Sequence, residues 1–175
     1  MVPMCTQGLQ DAGVEAVLKH FPGHGDTAED SHSGYASSYK SLDELKQCEL
    51  LPFQAGILAG ASFVMMGHIS LPNILDSQVP ASLSSLIERD LLRQEMGFEG
   101  IIITDALNMG AISTNYTSAD AAVKAVEAGG DMLLMPADFA SAYSALINAV
   151  YSGEISEQRI DESVRRIIQI KKKLS

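Results

Sequence analysis

The sequence predicts an α/β fold with a parallel sheet. Three observations carry that expectation: four short apolar runs spaced along 175 residues, helix-type periodicity between them, and titratable residues gathered where the runs end. Hydrophobic residues make up 46% of the chain and charged residues 19%, enough apolar surface for a core and unlike a disordered segment. By length the chain is one domain or a piece of a larger one.

Met1 to Gly13 reads as the tail of a helix. Val14–Leu18 (VEAVL) is the first strand-type run and ends in the charged pair Lys19–His20. Ser41-Leu-Asp-Glu44 is a capping box that opens a helix, and Pro52 starts a second helical piece running towards Ala61. Ser62–Met66 (SFVMM) is the second run, ending at Gly67–His68. Leu83, Leu86, Ile87, Leu91 and Met96 then form one helical stripe, closed by Gly97. Gly100–Thr104 (GIIIT) is the third run and ends at Asp105. Ser118 caps a helix through Ala128, stopped by Gly129–Gly130, and Asp131–Leu134 (DMLL) is the fourth run. Asp138 caps the next helix, with Phe139, Ala142, Tyr143, Leu146, Ile147 and Val150 on its inward face and Gly153 past its end. A last helix follows Ser156 and turns Ile160, Val164, Ile167, Ile168 and Leu174 inward.

Runs this apolar suit strands buried on both faces, as in parallel sheets. The order is therefore βαβαβαβα plus a terminal helix, which implies right-handed crossovers. Functional residues of a (β/α)8 barrel sit at the C-terminal ends of strands, and here Lys19, His20, His68 and Asp105 fall at such ends. Four units are half of a TIM-type barrel. A half-barrel leaves two open sheet edges and an exposed inner face, so self-association or pairing with a complementing half-barrel is expected.

The net charge of −10 argues against a nucleic-acid partner, since the one basic run, Lys171 to Lys173, suits the C-terminal end of a helix. Cys5 and Cys48 have no metal-type spacing and form no disulfide framework. No apolar run is long enough to span a membrane, and Met1 to Gln10 lacks the regions of a signal peptide, so the chain is expected to be soluble.

The segment KHFPGHGDTAEDSH, Lys19 to His32, holds three of the four histidines beside two aspartates. Asp105, after three isoleucines, is a carboxylate at a strand end: a nucleophile or an ordinary helix cap. Lys19 is either a substrate ligand or a side chain snorkelling from a strand end. His32 suits proton transfer near neutral pH but, taken alone, is equally a surface histidine. Asp30, two residues away, lies on the same side of an extended segment and would raise the His32 pKa. Gly23 and Gly25 allow a tight loop. His24 braces the loop or touches substrate, and His68 is either a subsite residue or a satisfied core histidine. Met109 lies near the pocket without chemistry of its own. A metal site built from His20, His24, Asp26, Asp30 and His32 is a competing reading, although the HxH and HExxH spacings are missing. A non-catalytic half-barrel that binds glycan or a partner is another.

KHFPGHGDT followed by DSH, then GHISLP and ITDALNM, resembles the N-terminal barrel domain of glycoside hydrolase family 3, and within it the β-N-acetylhexosaminidase branch. The resemblance runs from about Gly8 to the C-terminus. It implies Asp105 as catalytic nucleophile, His32 as acid/base with Asp30 as its dyad partner, and Lys19 and His20 as ligands of the sugar in the reactive subsite. It implies a retaining hydrolase that removes N-acetylglucosamine from a glycan or muropeptide, with no cofactor. It also implies four further βα units upstream, carrying an aspartate and an arginine of that subsite. Residues 1–175 are thus expected to be part of the barrel domain, truncated or split, with no second domain after Ser175.

Overall fold

The structure, a computed structural model, describes residues 1–25, 27, 36–75 and 79–174. Four parallel strands form the sheet in sequence order: β1 (Val17–Phe21), β3 (Phe63–Met66), β5 (Ile101–Ala106) and β6 (Met132–Leu134). Helices connect each strand to the next, so the expected α/β order and the consecutive parallel topology of a partial TIM-type barrel are present. A short second ladder pairs β2 (Ala36–Ser37) with β4 (Ile69–Ser70), also parallel, which no sequence pattern announced.

The first strand begins three residues later than Val14. Helix α1 (Val2–Asp11) ends in a Schellman motif, with Gly13 at φ 77°. The Gly13 N–H reaches the Gln10 carbonyl and the Val14 N–H reaches the Leu9 carbonyl, so Val14 is used up in stopping the helix. Lys19 and His20 therefore lie inside β1 rather than after it.

Ser41 and Glu44 complete the expected capping box at α2 (Leu42–Gln47). Helix α3 runs Leu50–Leu58 and carries Pro52 in its first turn, where a missing N–H costs little. The segment before β5 departs from the expected α-helical stripe. Leu83 belongs to a separate 3-10 turn (Ala81–Leu83), and Leu86–Glu95 winds as a π-helix that closes with the Met96 N–H on the Leu91 carbonyl. The wider i→i+5 winding buries Leu92 beside Leu91 and leaves Leu86 43% exposed. Gly97 follows at φ 68°, as its stop-residue role requires.

A short α4 (Gly110–Ser113) precedes α5 (Ser118–Ala128), which is capped by Thr117, not Ser118. The Ser118 hydroxyl instead accepts the Asp138 N–H and ties the starts of two helices together. Asp138 caps α6 (Phe139–Ser152) and Ser156 caps α7 (Glu157–Lys173), both as expected. The buried residues of α6 are the small ones, Ala142 and Ala149, whereas Phe139, Tyr143 and Ile147 stay exposed. Leu146 and Val150 are half-buried against Val126, Ala149 and Ile155, so the apolar face read from periodicity holds at Ala142, Leu146 and Val150 and fails at the three exposed residues. In α7 likewise Ser163 and Ile170 are buried, while Val164, Ile168 and Leu174 are exposed.

The main core lies between the sheet and the helices on one face. It joins Leu18, Val64, Met66 and Ile102 from the strands to Leu45, Phe53, Ile87, Leu91 and Leu92. On the opposite face Val17 is exposed, and Phe63, Met65, Ile103 and Met132 are only partly covered. That is the open inner surface a half-barrel must have. No described helix is long and apolar enough to cross a membrane.

Candidate active site

The sheet is regular in its middle and irregular where the chemistry lies. The β3–β5 register runs unbroken from Phe63↔Ile101 to Met66↔Thr104. In β1 the pairing breaks between Leu18 and Phe21, and in β5 it breaks between Ile103 and Ala106. Those breaks contain Lys19 and His20 in one strand and Thr104 and Asp105 in the other. Irregular pairing re-aims side chains at sheet ends. At the second break the Thr104 hydroxyl accepts the Leu134 N–H at 3.0 Å, so the amide of β6 is not left unpaired. The Lys19–His20 and Phe21–Pro22 peptides are both cis.

Asp105 is held on one side and open on the other. Its Oδ1 accepts the Ala106 N–H at 2.8 Å, and its Oδ2 lies 3.6 Å from Nε2 of His20. The two side chains retain 19% and 27% of their exposure, so both meet solvent at the mouth of the half-barrel. Burial lowers the His20 pKa, Asp105 opposes that shift, and Lys19 and His24 reinforce it. A neutral imidazole is therefore favoured at pH 7, able to donate to or accept from a ligand hydroxyl without cancelling the carboxylate charge. Lys19 is exposed and holds no ion pair among the described residues. His24 stands edge-on to His20 with ring centroids 5.9 Å apart, and its Nδ1 is 2.7 Å from the Thr27 hydroxyl. That contact fits its role as a loop brace.

His68 is only 1% exposed. Its Nδ1 is 2.7 Å from the Ser82 hydroxyl and its Nε2 is 3.0 Å from the Ala106 carbonyl. Both ring nitrogens are engaged inside the protein, which favours the satisfied core histidine over a subsite ligand. Met109 is half-buried at the N-cap of α4, and its N–H reaches the Ala106 carbonyl at 3.1 Å. Asp30 and His32 lie outside the described residues, as does Asp26. Among the described residues no group of three or more His, Cys, Asp or Glu is placed to hold a metal ion.

Sequence reasoning missed a cluster at the other end of β5 and β6. The Asp131 side chain is 0% exposed and meets Arg93, Arg159 and Arg166. Beside it Glu88 is buried, and among the described residues neither carboxylate oxygen has a hydrogen-bond partner. Burial, with Asp131 adding to it, pushes the Glu88 pKa well above the usual range against the pull of Arg159 and Arg93. This end of a barrel carries stability rather than catalysis. The one available signal was Asp131 itself, a charged residue opening an apolar run.

The profile of the glycosyl hydrolase family 3 N terminal domain matches residues 1–170. The chain belongs to glycosyl hydrolase family 3. It is 36% identical over 188 aligned residues to beta-hexosaminidase A of Pseudoalteromonas piscicida, covering 96% of this chain and 31% of that protein. A solved family 3 β-N-acetylglucosaminidase from Paenibacillus sp. str. FPU-7 is 43% identical and superposes with a TM-score of 0.95, over 98% of this chain and 33% of that one. The zinc-bound structure of CbsA from Thermotoga neapolitana is 32% identical, with a TM-score of 0.92, over 97% and 37%. The family 3 chain described here thus spans about a third of the length of these relatives.

Proposed function

We propose that this chain carries the nucleophile and the acid/base of an exo-acting, retaining β-N-acetylhexosaminidase. Its substrate class is a β-linked N-acetylglucosamine at the end of a glycan or muropeptide. The observation that carries the reading is the state of Asp105. One oxygen is fixed by a backbone N–H and the other faces His20 at the solvent-exposed end of β5. Relatives named β-hexosaminidase and β-N-acetylglucosaminidase support the same substrate class.

In the first step Asp105 Oδ2 attacks the anomeric carbon, the bond to the aglycone oxygen breaks, and His32 gives that oxygen a proton. In the second, His32 takes a proton from water, the water oxygen bonds to the anomeric carbon, and the Asp105 ester is released. Lys19 and His20 hold sugar hydroxyls, and Asp30 favours the protonated His32 needed for the first step. Asp105→Ala, in this chain completed with the upstream half of the Paenibacillus relative, should lower kcat by at least about 10³-fold. Turnover near that of the parent would end the assignment.

Half of a barrel grips a sugar from one side only, and positioning supplies much of a glycosidase's rate. The 175 residues alone should accordingly turn over a glycoside poorly. An apolar groove of about 350 Å³ runs along the free edge of β1, lined by Val2, Leu9, Val17, Leu18 and Phe53 among others. Its position on the open edge of the sheet suits it to receive the upstream barrel units, and the chain spans about a third of the length of the relatives.

A metal-dependent reading keeps one supporting fact, the zinc-bound relative. Chelation decides it: turnover by the completed barrel should survive exhaustive dialysis against a chelator, and loss restored by zinc would favour a metallohydrolase.

A further inference from the structure

We propose that His68 is a positioning residue for the nucleophile, acting through Ala106 and the two peptide groups that flank its Cα. The inference rests on the assignment of Asp105 above and adds a residue outside the reacting set. Ala106 is the pivot. Its N–H donates to Oδ1 of Asp105 at 2.8 Å, and its carbonyl accepts from the Met109 N–H at 3.1 Å and from His68 Nε2 at 3.0 Å. One residue thus holds the carboxylate with its nitrogen and is itself held through its oxygen.

The partners fix the tautomer. A carbonyl can only accept, so Nε2 of His68 carries the proton. Burial is the largest influence on the ring and lowers its pKa, which favours the neutral form. Nδ1 then has a lone pair, and the fully buried Ser82 hydroxyl donates to it at 2.7 Å. The result is a directed chain from the Ser82 O–H through the His68 ring to the Ala106 carbonyl, reaching from the 3-10 turn after β4 across to the end of β5. The β5–β6 pairing is irregular between Ile103 and Ala106, the stretch that contains Asp105, and resumes at Ala106, where the Leu107 N–H reaches the Leu134 carbonyl at 2.9 Å. A buried side-chain donor at 3.0 Å adds a second hold on the Ala106–Leu107 peptide, on its carbonyl side.

Two substitutions separate this role from simple core packing. In His68→Gln the amide nitrogen replaces Nε2 and keeps the donor to Ala106. In His68→Asn the polar group replaces Nδ1 and reaches only Ser82. Both remove the ring, so both should lower the melting temperature by similar amounts. In the completed barrel, with active sites counted by a slow fluorinated glycoside, His68→Asn should lower kcat per site by about 10- to 100-fold with KM little changed. His68→Gln should stay near the parent. In the 175-residue chain the Ala106 amide resonance, which reports its bond to the Asp105 carboxylate, should move in His68→Asn and hold in His68→Gln. Equal kcat per site in both variants, or an Ala106 resonance unmoved by His68→Asn, would overturn the proposal. A parent without glycoside turnover would defeat the functional reading alone, leaving the resonance to judge the positioning.

Discussion

Asp131→Ala is the substitution with the largest effect on stability that the structure supports. The carboxylate lies at the start of β6 with no exposure, and each oxygen has two close donors. Oδ2 takes Arg93 Nη2 at 2.8 Å and the Ile102 N–H at 3.0 Å; Oδ1 takes Ser163 Oγ at 2.6 Å and Arg166 Nη1 at 2.9 Å. Arg159 Nη1 stands 3.6 Å from Oδ1. The three arginine side chains keep only 17%, 20% and 23% exposure, so solvent screens them weakly once the carboxylate is gone. Arg93 already shows the cost of burial, its pKa lowered to about 10 despite the opposing pull of Asp131. Removing one partner of a buried ion pair costs about 3–5 kcal/mol. A domain of ordinary stability has about 5–15 kcal/mol in all, so Asp131→Ala should remove a large share of it. Ser163→Ala, which removes one hydrogen bond to the same charge, should cost about 1.5–3 kcal/mol. Urea unfolding followed by far-UV circular dichroism suits a chain without tryptophan. A loss below about 1 kcal/mol for Asp131→Ala at an unchanged m-value would refute the argument that this carboxylate clamps β5, β6 and α7 together.

Three other outcomes follow from the site and the buried groups. In the completed barrel His32→Ala should slow substrates with poor leaving groups far more than activated phenyl glycosides, with Asp30→Asn milder in the same direction; equal losses on both would point away from proton transfer. The 175-residue chain assayed as a gel-filtration monomer should show little turnover, and turnover equal to that of full-length relatives would contradict the half-barrel argument. Glu88 has a raised pKa, so the folded state holds its proton where the unfolded state has released it, and its contribution to stability falls as pH rises above about 4.5. Glu88→Gln should therefore gain stability over the parent progressively from pH 5 to pH 8, and a difference constant with pH would contradict the buried, protonated carboxyl. His20 and His68 act in the opposite sense, since both are lowered: their contribution is present above about pH 6.5 and is lost as pH falls below it.

Three of the four strands were legible because nearly continuous apolar runs suit a sheet buried on both faces, and Gly67, Gly100 and Gly130 punctuate them. The first was misplaced by three residues because Val14, apolar by type, serves the helix stop. The stripe through Leu91 held at Leu83, Ile87, Leu91 and Met96 and failed at Leu86, because a π-helix has a different period and nothing in LIERDLLRQE marks that winding. The inward face of α6 was right at Ala142 but wrong at Phe139, Tyr143 and Ile147, and it omitted the buried Ala149, since apolar periodicity gives most weight to large side chains. Asp105, Lys19 and His20 stood out in the sequence as titratable residues closing apolar runs, and the structure places them near the C-terminal ends of β5 and β1, still within those strands. The partners of His68 and Asp131 could not, because Ala106, Ser82, Arg93, Arg159 and Arg166 lie far from them in sequence and offer backbone atoms or ordinary surface residue types.

The central claim is that Asp105 forms a covalent bond to the sugar. The direct measurement is mass spectrometry of peptides from the completed barrel after inactivation by a fluorinated N-acetylglucosamine-like glycoside, in which the fluorine slows release of the glycosyl-enzyme. The expected result is one glycosyl group per chain on the peptide containing Ile101–Met109, localised to Asp105 and absent from Asp105→Ala. Labelling at Asp30 or Glu29 instead, or inactivation that persists in Asp105→Ala, would contradict the account.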